Sequence, residues 1–111
     1  GAAGLGDIGA HFPDGDDRWL GADSIELLAA TRELLEGSAA RAVNADATVI
    51  CEEPRLTEHR DAIEARLADA LGAPVSVKAT SNERMGAIGR GEGIAVTAVA
   101  LVEVSVGGEA E

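Results

Sequence analysis

Aromatic side chains are almost missing from this chain. Its 111 residues hold Trp19, Phe12 and no tyrosine, while alanine is abundant. A core of such small groups buries little per residue, and a chain of this length already buries a modest share of its surface. The composition therefore points to packing against other subunits. Cysteine is scarce too. The single thiol, Cys51, excludes an internal disulfide framework, and its place at the end of a strand-like run reads as a small buried hydrophobe. Basic residues are few: 9 Lys and Arg against 20 Asp and Glu give a formal net charge of −11. That argues against a phosphate-neutralising nucleic-acid surface. It suits solubility, an unusual or high-salt cytoplasm, or metal-assisted handling of an anionic ligand. No stretch approaches the ~20 apolar residues of a membrane span, and no basic segment followed by an apolar one reads as a secretory signal.

What is present is enough apolar content, 46%, for one domain, expected over residues 1–106 with a flexible tail at 107–111. Gly1 to Leu5 suits the last turn of a helix that begins earlier. A loop is expected through Gly21, because glycine and proline interrupt regular structure there. Asp23 and Glu26 then resemble a capping box. Ile25, Leu28 and Leu35, widened by Leu27 and Leu34, recur with helical spacing, and Gly37 suits the residue just past that helix. Val43, Ala45, Ala47, Val49 and Cys51 alternate with Asn44, Asp46, Thr48 and Ile50, which predicts a strand. A second helix is expected from Thr57, as cap, to Leu71, stopped by Gly72 and Pro74. A short strand follows over 75–78. The strongest strand runs over 94–104, with both faces expected to be covered, by helices on one side and another subunit on the other. The order predicts a single sheet with helices packed on one face, an α+β or α/β sandwich.

Three loop segments stand out beside regular elements: residues 7–16, 51–56 and 80–90. Residues 6–16 carry Asp7, Asp14 and Asp16 with His11 and Phe12-Pro13. Loops rich in carboxylates carry function more often than packing. These aspartates suit a hard cation, although the spacing matches no EF-hand, or they suit the hydroxyls of a polyol. His11, between Ala10 and Phe12, reads as structural. Thr80-Ser81-Asn82-Glu83 offers hydroxyls and N–H groups after a strand, a place for phosphate oxygens; read locally, it is a capping box with Glu83 at its third position. Gly89-Arg90-Gly91-Glu92-Gly93 lets backbone approach a ligand closely around one arginine, but it is neither a P-loop nor a Rossmann fingerprint.

Taken in order, Gly6-Asp7-Ile8-Gly9-x-His11-Phe12-Pro13-Asp14-x-Asp16, Gly21-Ala22-Asp23-Ser24, Lys78-Ala79-Thr80 through Glu83, and Gly89-Arg90-Gly91-Glu92-Gly93-Ile94-Ala95 closely resemble the 2-C-methyl-D-erythritol 2,4-cyclodiphosphate synthase family. The resemblance implies a lyase of non-mevalonate isoprenoid biosynthesis, a homotrimer with sites between subunits, cytoplasmic or, in a plant or alga, plastidic. It implies metal-assisted intramolecular phosphoryl transfer within CDP-methylerythritol 2-phosphate, releasing CMP. Asp7, Ile8, Gly9, Phe12, Pro13, Asp14, Gly15 and Asp16 would line the methylerythritol phosphate end. Cys51, Glu52, Glu53, Pro54, Arg55, Leu56 and Thr57 would shape the cytidine pocket, with Arg55 where lysine is common. Thr80, Ser81, Asn82, Glu83 and Ala87 would serve the phosphates, Ser81 as the catalytic residue and Glu83 as ligand to magnesium or manganese, and Arg90 would reach toward phosphate or the trimer's central cavity; Ala87 stands where a larger residue is frequent. The family's zinc ligands are expected upstream of residue 1, neither His11 nor His59 matching a ligand position. The alternative reading is a non-catalytic trimeric or cytidine-nucleotide-binding module without the zinc site.

Overall fold

The alternation in the middle of the chain produces β1 (Ala40–Ile50), the central strand of a sheet whose order is β2-β1-β3. The computed structural model describes residues 1–105; the expected tail at 107–111 lies outside the described residues. β2 (Val75–Thr80) runs parallel to β1, and β3 (Ala95–Val104) runs antiparallel on the other side. A parallel pair needs a crossover, supplied by α3 (Arg60–Leu71). The preceding helix, α2 (Ser24–Gly37), packs against α3, and the two cover β1 and β2 respectively from one face. The fold is therefore mixed α+β with one sheet and its helices on one side, as the element order predicts.

A bulge sets which side chains meet the helices. Ala42 pairs with Val102 and Asn44 with Leu101, leaving Val43 as the extra residue. Even-numbered Ala40 and Ala42 face the helices before it; Ala45, Ala47 and Val49 do so after it, beside Val75, Val77 and Ala79 of β2. The other face is polar along β1 and β2, where the Lys78 ammonium holds both Asp46 carboxylate oxygens at 2.8 and 2.7 Å. It is apolar along β3. On the outer edge of β2 the Val77 amide donates to the Glu64 carboxylate of α3 at 2.7 Å, so a helix side chain satisfies an amide that an edge strand leaves open.

The core is as thin as the composition predicts. Its buried hydrophobics are Ala40, Ala42, Cys51, Ala70 and Val77. Between α2 and the small side chains Ala42, Ala45, Ala98 and Ala100 lies an apolar cavity of about 390 Å³, closed at one side by residues of the opening run. β3 remains open within one chain: Val99 is 75% and Val96 56% exposed. The expectation that helices cover one of its faces is corrected, because α2 and α3 sit over β1 and β2 and leave the far edge uncovered.

Several local expectations are corrected in the same way. Residues 1–5 form a turn, with the Gly4 amide on the Gly1 carbonyl at 2.9 Å, and Gly4 at φ 75 cannot continue an α-helix. The run 7–16 is not loop throughout. Asp7 accepts the Ala10 amide and starts the single turn α1 (Ile8–His11), and Asp16 accepts the Arg18 amide to start a 3₁₀ turn at Asp17–Trp19. Helix α2 includes Gly37, and the left-handed residue beyond it is Ala39 at φ 57. Asp23 does cap α2, through the Ile25 amide at 2.8 Å. Thr57 caps nothing: residues 57–59 form a turn, and α3 begins at Arg60 with no side-chain cap. The capping box expected at Thr80–Glu83 is absent as well. Thr80 still belongs to β2, and Glu83 (φ 54) and Arg84 (φ 60) are both left-handed. The next helix is the single turn α4 (Gly86–Gly89).

Candidate functional site

Parallel strands joined by a helix direct their carboxyl ends to one edge of the sheet, where open α/β sheets hold ligands. β1 and β2 end there in Ile50 and Thr80. The loops that follow them enclose a pocket of about 640 Å³ lined by residues 51–57, Ala79, Thr80, Ser81, Arg84, Gly89, Arg90 and Gly91. Segments far apart in the sequence thus form one cavity: the whole expected cytidine segment, the Thr80-Ser81 pair and Arg90.

Each wall has a local reason. Cys51 is buried and its thiol donates to the Pro54 carbonyl at 3.7 Å, drawing residues 51–54 into a bend. The Cys51 amide continues the ladder onto the Thr80 carbonyl at 3.1 Å. The Glu52 carboxylate accepts the Asn82 amide, and so joins the two loops. Within the second loop, Ser81 Oγ accepts the Glu83 amide at 3.2 Å, and the Asn82 side chain donates to the Met85 carbonyl at 2.8 Å. Ser81 Oγ therefore already has a donor, and its own hydroxyl proton is free for an oxygen in the pocket. Gly89 lies so close to the Arg84 backbone that a Cβ there would collide with it.

Three arginines, Arg55, Arg84 and Arg90, share the lining with Glu52 and Glu53. Glu52 is occupied by the Asn82 amide. Arg90 Nε donates to Glu92 at 2.7 Å, an exposed pair that orients the guanidinium more than it stabilises the fold. Among the described residues Arg55 and Arg84 have no ion-pair partner. Arginine-lined, pre-shaped and hydroxyl-bearing, this pocket offers donors for a polyanion on a chain of net charge −11.

The remaining expected residues stand elsewhere. None of residues 7–16 lines this pocket. Asp7, Ile8 and Phe12 border the apolar cavity under α2, and Phe12 meets Trp19 edge-on at 4.8 Å. Gly9, Pro13, Asp14 and Gly15 are exposed, and Asp16 is bonded to the Arg18 amide and guanidinium at 2.9 and 3.3 Å. Glu83, on the second loop, and Ala87, in α4, are exposed and outside the lining. His11 is structural, its Nε2 lying 2.7 Å from the Leu5 carbonyl. Arg84 was not singled out from the sequence. A basic residue between the hydroxyl pair and the glycine-rich stretch was the signal for it.

The YgbB family model matches residues 1–103. The 2-C-methyl-D-erythritol 2,4-cyclodiphosphate synthase of Rubrobacter xylanophilus is 54% identical over 110 residues, covering 96% of this chain and 66% of its own length. Among solved structures, the bifunctional IspDF of Campylobacter jejuni superposes with a TM-score of 0.84 at 36% identity, over 92% of this chain and 28% of that one. A 2C-methyl-D-erythritol-2,4-cyclodiphosphate synthase in its CDP-bound form superposes with a TM-score of 0.81 at 30% identity, over 92% of this chain and 67% of that one. The chain spans about two thirds of the length of these dedicated synthases.

Proposed function

The chain belongs to the YgbB family, and on that premise we propose that it forms the nucleotide- and phosphate-binding part of a cyclodiphosphate synthase. The reaction is intramolecular. An oxygen of the 2-phosphate of CDP-methylerythritol 2-phosphate attacks the β-phosphorus, the bond from that phosphorus to the oxygen shared with CMP breaks, and CMP departs with the bridging oxygen. The observation that carries the reading is the single pocket joining residues 51–57 to Thr80, Ser81, Arg84 and Arg90. CDP bound to a relative of the same fold supports it.

Phosphoryl transfer of this kind requires alignment and charge neutralisation rather than a protein nucleophile. The bend at residues 51–57 would take the cytidine through backbone groups. Ser81 would donate its free hydroxyl proton to a phosphate oxygen as charge develops there. Arg55, Arg84 and Arg90 would neutralise the diphosphate. The run 7–16, outside this pocket, would complete the site from the neighbouring subunit of a homotrimer, with Asp7, Asp14 and Asp16 accepting polyol hydroxyls. Gly9 and Phe12 would shape that end.

Glu83 is an exposed single carboxylate beside the Thr80-Ser81 pair. Magnesium or manganese commonly takes one or two carboxylates and completes its shell with phosphate oxygens and water, so Glu83 suits such an ion, which would withdraw charge from the diphosphate. Zinc does not fit the residues present: His11 is occupied, His59 is exposed, and among the described residues no three His, Cys, Asp or Glu side chains gather. Its ligands would lie outside these 111 residues.

The test is CMP release by the full-length protein given CDP-methylerythritol 2-phosphate with zinc and magnesium. Ser81→Ala and Asp7→Asn should each lower turnover by about 100-fold while the assembly sediments as wild type. A metal-loaded wild type that releases no CMP, or variants that turn over at its rate, would sink the assignment.

A further inference from the structure

The turn that carries Ser81 is held from outside by one side chain. Among the described residues, the recorded hydrogen bonds of residues 81–92 lie within residues 80–92, with a single exception: the Asn82 amide donates to the Glu52 carboxylate. The turn is also a costly one. Glu83 and Arg84 are consecutive non-glycine residues at φ 54 and φ 60, a region that such side chains avoid and that persists only where the surroundings over-determine it. Within the turn, the bonds from the Asn82 side chain to Met85 and from the Glu83 amide to Ser81 Oγ close on themselves. They shape the turn without placing it against the pocket.

We infer that Glu52 is a positioning residue: its carboxylate holds the Asn82 amide and thereby fixes the Ser81 hydroxyl and Arg84 relative to the cytidine-side loop. The family resemblance implies that Glu52 is one of the residues shaping the cytidine pocket. The structure commits its carboxylate to a backbone amide. Since Glu52 follows Cys51, whose amide bonds to the Thr80 carbonyl at 3.1 Å, two successive residues of one loop grip the start of the other. Nucleotide bound against residues 51–57 and the group acting on its diphosphate then belong to one rigid unit. The catalytic consequence rests on the phosphoryl-transfer reading above, whereas the placement of the turn does not.

The distinguishing property is that only an acceptor oxygen is needed at position 52. In the full-length protein, Glu52→Gln keeps such an oxygen and should turn over within about threefold of wild type. Glu52→Ala should lower kcat by about 10- to 100-fold, as a small misplacement of a reacting group does, with KM and CDP affinity within about threefold. Hydrogen exchange should quicken at Asn82 and through residues 82–85 in Glu52→Ala and stay slow in Glu52→Gln. Weakened CDP binding in both variants with kcat retained would assign Glu52 to the nucleotide instead. Unchanged exchange in Glu52→Ala would overturn the inference. The exchange measurement is independent of turnover, so an inactive wild type would refute the proposed reaction and still leave the role of Glu52 decided.

Discussion

Gly89 is the residue whose replacement by the smallest possible increment has the largest expected consequence. Its Cα faces the Arg84 backbone, and backbone cannot swing aside as the tip of a long side chain can. Gly89→Ala should cost about 1–3 kcal/mol of stability in a denaturant melt and lower turnover, because relief of the overlap must move either Arg84 or the glycine stretch on the pocket wall. At this scale the sequence was informative about chemistry and less so about attachment. Thr80, Ser81 and Arg90 stand out by residue type and lie together in one pocket. The occupation of Glu52 by a backbone amide was not legible, because it depends on a turn 30 positions away. The left-handed pair Glu83-Arg84 was likewise hidden, since a Thr-x-x-Glu pattern describes an ordinary helix start equally well.

At the scale of elements, legibility followed periodicity. Helices α2 and α3 and strands β1 and β3 carry several turns or repeats of apolar spacing, and each was anticipated to within a few residues. The single-turn helices α1 and α4 are too short to show a period, and a cap alone decides them. Where a cap residue preceded a strong period, as at Asp23, the start of the helix was placed correctly. Asp23→Ala removes the acceptor for the Ile25 amide and should destabilise the protein by about 1 kcal/mol, measured as a lower urea midpoint with an unchanged slope. Asp23→Asn or Asp23→Ser should restore most of it. The bulge at Val43 escaped the sequence reading because strict alternation across residues 43–51 gives no sign of the phase change just before it.

For the whole molecule, the informative fact is what one copy leaves separate. The arginine-lined pocket and the aspartate run stand apart within the chain, and the uncovered apolar residues of β3 offer a surface on which further copies could pack. If neighbours complete each site, two impaired variants should rescue one another. Full-length Asp7→Asn and Ser81→Ala proteins, dissociated and reassembled at equal amounts, should recover up to about a quarter of wild-type activity in a closed cyclic assembly, while either alone stays about 100-fold below wild type; the measurement is CMP release from the mixture. No recovery from assemblies shown to be mixed would mean that each chain supplies its site alone. Trp19 adds an optical consequence. It is the only tryptophan in a stretch with no tyrosine, its indole N–H is buried without a partner, and it touches Phe12 rather than the nucleotide pocket. The near-ultraviolet emission of these residues therefore originates beside the aspartate run, so under the proposed function a titration followed at that wavelength would report the polyol end and be blind to the base.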